Sequence, residues 1–155
     1  MPGHRVHQVL GVSAAGTVAL ARSDGLPDVG TVIYCLSALV GGSVGAALPD
    51  TLEPAAHSHH RDVFHSGGAG TSVLVGAVKA GGSMGADLRA QAARLRARRL
   101  ELPAGHPERV GLAFSEYAIY ALLGFTVGFA VGYATHVLAD MGTPRGVPLL
   151  ARKVA

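Results

Sequence analysis

Two runs of the chain, residues 29–48 and 111–139, contain between them one charged side chain, Glu116. Each is long enough to meet the roughly 20 predominantly apolar residues that a lipid-spanning helix needs. Two further apolar stretches cover residues 8–21, which is short, and 67–86, which Lys79 interrupts. All four are expected to be helices. Hydrophobic residues make up 49% and charged residues 15% of the 155, with 22 glycines, a balance typical of membrane proteins. The length suits one domain over residues 1–155 and leaves no room for two. The lone Cys35 sits in an apolar run, so no intrachain disulfide framework exists.

Between the third and fourth runs, the segment that starts at Asp87 carries Arg89, Arg94, Arg96, Arg98 and Arg99, with Leu88, Leu95 and Leu102 seven residues apart. This pattern predicts a basic amphipathic helix at the membrane surface, stopped by Pro103. A juxtamembrane positive-inside signal explains the arginines better than a nucleic-acid contact does. The expected architecture is therefore all-α: about four membrane-embedded helices plus one basic surface helix. Alternating helices place residues 22–28 on the same side as the basic segment. The N-terminus, residues 49–66 and the C-terminal tail then share the other side, together with seven of the eight histidines. His106 stays with the basic segment as a solvated loop residue. Lys79 and Glu116 are expected near the basic ends of their helices, where they can snorkel or pair with each other.

On the histidine-rich face every helix contributes a polar group at its end. His7 opens the first, Asp50 closes the second in "ALPDTLEP", His60 and His65 precede the third in "HHRDVFHS", and His136 and Asp140 end the fourth. Positions i and i+4 of a helix share a face, so His136 and Asp140 can address one centre. Neutral imidazole and carboxylate form the ligand set of zinc and similar divalent ions. Taken singly, each of these residues has an ordinary structural use: Pro49-Asp50 is common turn chemistry, and His4, His57 and His59 read as interfacial residues. Their joint placement points to one metal with outer partners, or to two metals.

The stretch "GYATHVLADMGTPRGVPLL" resembles the C-terminal signature of the predicted membrane-bound metal-dependent hydrolases, also described as LexA-binding, inner-membrane-associated hydrolases. "HRDVFHS", "LPD" and "HQVLG" resemble that family's other motifs, in the same order along the chain. The resemblance implies a helical protein of the inner membrane, distantly similar to zinc-dependent phospholipase C and P1-type nucleases, with metal ligands at His7, Asp50, His60, His65, His136 and Asp140. Leu52 stands where the family has a second Asp, with Glu53 next to it; Asp62 and Phe64 also depart from the pattern. Loss of that Asp implies one ion in place of two, or a weakened catalyst. For a catalytic site, Glu53 or Asp140 would accept the proton of a metal-activated water, and Arg61 would hold an anionic oxygen of a phosphoester such as a phospholipid. The alternative is a non-catalytic membrane scaffold with a structural metal, engaging a regulatory protein through the arginine-rich segment.

Gly124, Gly128 and Gly132 make a smooth stripe that lets a second helix approach closely, within the chain first and in a homo-oligomer second. The first apolar run also has the form of a signal peptide ending near Ala19–Ala21, whose removal would discard His7.

Overall fold

A computed structural model of the chain describes residues 4–53, 64 and 66–141. The described residues form five α-helices: α1 (His4–Ala21), α2 (Asp28–Leu52), α3 (Gly67–Lys79), α4 (Gly85–Glu101) and α5 (Glu108–Met141), with a π-helical turn at Ala80–Met84 between α3 and α4. The all-α expectation holds. Two helices, α2 and α5, are long and apolar enough to cross a membrane. At 1.5 Å per residue they measure about 37 and 51 Å, against about 30 Å for a hydrocarbon core. The 13 residues of α3 reach only about 20 Å.

The α2–α5 pair forms the spine. A Cβ on Gly124 would land on the Tyr34 carbonyl, one on Gly128 on that of Ala38, and one on Gly132 on that of Gly42. Residue numbers rise together along both helices, so the two run parallel. The seam interlocks from both sides, because Gly41 and Gly45 of α2 meet the Phe125 and Phe129 carbonyls in the same way. The stripe therefore serves packing within the chain, and α2 occupies it. Helix α1 lies antiparallel across the seam: a Cβ on Gly11 would collide with that of Ala46, and one on Gly42 with that of Ala15. The tight turn into α2 uses Gly25 at φ 78°, a backbone conformation that a side chain disfavours.

Between the third run and the basic helix the backbone stays helical. Only the wide π turn through Gly81 and Gly82 separates α3 from α4, because no proline stops the chain before Pro103. The segment from Gly67 to Glu101 runs antiparallel along α5: Gly70 faces Val137, which a Cβ there would meet at 3.2 Å, near one end, and Arg99 pairs with Glu116 near the other. The basic helix expected from the sequence is thus present as α4, with its apolar side against the bundle. Its buried Ala92 and half-buried Leu88, Leu95 and Arg99 face the bundle. Helix α4 does end before Pro103, at the extended Leu102.

Glu116 is fully buried and is held by both Nε and Nη2 of Arg99, at 3.2 and 2.8 Å. Arg99 is thus the partner that sequence reasoning had sought in Lys79. Arg89 Nη2 donates to the Arg22 carbonyl at 2.8 Å, which brings the α1–α2 turn and the basic helix to one end, as expected. His106 also lies at that end, exposed, its Nδ1 accepting the Glu108 N–H at 3.3 Å.

The bundle is apolar on its outside. Val29, Val32, Leu36, Val40 and Val44 form the exposed face of α2, whereas its buried face is mostly Gly and Ala. Hydroxyls within the helices bond back to the preceding turn, as Thr126 does to Leu122 at 2.8 Å and Thr135 to Val131 at 2.7 Å.

Candidate metal centre

At the end of the bundle away from the arginines of α4, α1, α2 and α5 bring polar side chains together. The register of the seam places His136 beside Ala46 and Asp140 beside Asp50. Antiparallel α1 delivers His7 to the same level. His7, His136 and Asp140 are 3%, 0% and 1% exposed.

The imidazoles of His7 and His136 stack with centroids 4.1 Å apart. His7 Nε2 stands 3.3 Å from Asp140 Oδ1, His136 Nε2 3.7 Å from Asp140 Oδ2, and His136 Nε2 3.5 Å from Asp50 Oδ1. One ligand atom from each of His7, His136 and Asp140 lies within 4.8 Å of the others. A buried Nδ1–H of His136 donates to the Ala46 carbonyl at 2.6 Å. That bond selects the tautomer whose Nε2 lone pair faces the carboxylates, the arrangement that orients metal-binding histidines.

Pro49 lies in the next turn of α2, where it lacks the N–H that would bond the Gly45 carbonyl. The helix nevertheless continues through Pro49 to Leu52. Asp50 is consequently carried on α2 itself, its side chain 37% exposed, and is the most open member of the group.

These separations discriminate between two kinds of contact. A charge-assisted N–H···O bond closes to about 2.7–2.9 Å. Two ligands at 2.0–2.1 Å from a tetrahedral zinc stand about 3.4 Å apart. The observed 3.3–3.7 Å matches the second pattern. Donor types, tautomer and the His–Asp spacings suit a divalent ion, and the group could hold one.

Of the residues expected at the site, the structure brings together His7, Asp50, His136 and Asp140. Glu53 is placed at the end of α2, half-buried, its N–H donating to Pro49 at 2.9 Å. His60, Arg61 and His65 lie outside the described residues. Sequence reasoning missed Tyr133. Its buried hydroxyl donates to the Phe64 carbonyl at 2.5 Å and ties the start of α3 to α5. The spacing i, i+3 to His136 was the available signal. Ser66, also buried, accepts the Ala69 N–H at 3.0 Å as the cap of α3.

No family model, curated protein or solved structure matches the chain.

Proposed function

We propose that this protein is an inner-membrane, metal-dependent hydrolase: a small integral bundle with about four helices embedded in lipid and a divalent-metal site, of zinc type, at one membrane face. The convergence of His7, His136 and Asp140 donor atoms within 4.8 Å carries the reading. The apolar outer faces of α2 and α5 support the membrane part, since large aliphatic and Phe side chains such as Leu36, Val40, Phe114 and Leu122 stand exposed while glycines and alanines line the contact between the two helices.

In this reading His7, Asp50, His60, His65, His136 and Asp140 supply the ligands of one or two ions. A zinc-type ion supplies Lewis acidity and lowers the pKa of a water to about 7. Asp140 or Glu53 accepts that proton, and Arg61 presents its guanidinium fork to an anionic oxygen of the substrate. The substrate class is a phosphoester, including a phospholipid approached from the bilayer surface.

The burial of His7, His136 and Asp140 favours a second reading, a non-catalytic membrane scaffold that keeps the metal for its fold. Structural sites are closed, whereas catalytic ones keep a position open for water.

Elemental mass spectrometry on the detergent-purified chain tests the metal. One or two zinc-type ions per wild-type chain, lost in both His136→Ala and Asp140→Ala, is the expected result. A folded, metal-free wild type after zinc supplementation sinks the site. Glu53→Gln then separates the two readings: a hydrolase keeps its metal and fold but loses turnover of a phosphodiester substrate, while a scaffold has no turnover to lose.

A further inference from the structure

At the opposite end of the bundle, α4 and the α1–α2 turn enclose a recess of about 460 Å³ that the metal site does not use. Arg89 and Arg96 line it, seven residues apart and so on one face of α4, about 10.5 Å apart along the axis. Both are half-buried. Arg89 uses one of its donors on the Arg22 carbonyl and lies over the Tyr34 ring at 5.5 Å. Arg96 makes no ion pair or hydrogen bond among the described residues. One carboxylate, Asp24, shares the lining, so the arginines leave the recess positive. Leu26, Leu100 and Tyr120 form an apolar wall beside them.

We propose that this recess binds the phosphate headgroup of an anionic bilayer lipid. The guanidinium fork matches phosphate oxygens, and the apolar wall accommodates the glycerol and first methylenes, which a free phosphate lacks. The recess also adjoins Pro27, the cap of α2, where the apolar run of that helix begins. That is the depth at which lipid phosphates stand beside a spanning helix, and basic pockets there recognise headgroups. The proposal rests on the membrane reading, whose own failure appears separately, as release of the chain from membranes by carbonate washing.

Native mass spectrometry of the purified full chain with phosphatidylglycerol or phosphatidylcholine tests it. Arg96→Gln removes a charge without removing a structural contact, and Arg94→Gln removes one from the exposed side of the same helix. The expected result is preferential retention of phosphatidylglycerol by wild type and Arg94→Gln, weakened roughly tenfold in Arg96→Gln for the loss of a charge-assisted contact. Metal content stays unchanged in all three. Equal weakening by the two substitutions, equal retention of phosphatidylcholine, or displacement of the lipid by millimolar inorganic phosphate would overturn the proposal.

Discussion

At the scale of single residues, the ionisable groups inside the bundle divide between its two ends. At one end they form the candidate metal centre, and its described members were legible: the alternation of helices puts His7 and Asp50 at the same face as His136 and Asp140, which the four-residue spacing sets side by side. The hydrogen bond from His136 to Ala46 was not legible, because a backbone acceptor leaves no mark in side-chain pattern. At the other end, Glu116 is fully buried against Arg99. Lys79 was the nearer guess, but Arg99 reaches Glu116 because α3 and α4 continue through the π turn and run back along α5. Arg99→Met leaves a buried carboxylate without its cation. It should cost about 3–5 kcal/mol, whereas Arg99→Met with Glu116→Met should restore most of that. Reversible unfolding in mixed micelles reads both. An Arg99→Met loss below about 1 kcal/mol would mean that the pair carries no such role.

Among the elements, α2 and α5 were readable as long apolar helices, and the glycine stripe of α5 was readable as a close-packing surface. Their parallel direction followed from the alternation that puts residues 22–28 with the basic segment; which helix fills the stripe did not, since hydropathy says nothing about it, and the interleaved carbonyl contacts of Gly41, Gly45, Gly124, Gly128 and Gly132 decide it. Direction matters for function, because only a parallel pair brings Asp50 and Asp140 to one level. The seam makes a sharp prediction. At Gly128 an added methyl group meets the Ala38 carbonyl, whereas at Gly76 of α3 it meets nothing within 4 Å. Gly128→Ala must push α2 and α5 apart and should destabilise by about 1–3 kcal/mol. Gly76→Ala removes glycine from a helix interior at no steric cost and should be neutral or stabilising by up to about 1 kcal/mol. Unfolding midpoints of the two variants, measured side by side, check the contrast. If Gly128→Ala also loses metal, the seam sets the spacing of the site.

For the whole molecule, the governing fact is that the large apolar side chains point outward. Leu36 is 58% exposed near the middle of α2, with Val32 and Val40 at 57% on either side of it, while the interior of the same helix is lined by Gly and Ala. In water such a surface is an association liability; in lipid it costs nothing, and the small inner residues give the close backbone contact that holds membrane helices together. Leu36→Lys distinguishes the two solvents, because Leu36 stands on the exposed face of α2. In a bilayer a lysine at mid-helix costs about 2.5–3.5 kcal/mol on insertion scales, so the variant should show reduced insertion and a shift out of the carbonate-resistant membrane fraction. In water the same substitution breaks an apolar patch and should raise soluble yield with an unchanged unfolding midpoint. Carbonate extraction of wild type beside Leu36→Lys decides between them. A wild type released into the supernatant, with the lysine variant more soluble still, would remove the bilayer from the reading. The His7, His136 and Asp140 cluster would then stand in the core of a water-exposed bundle.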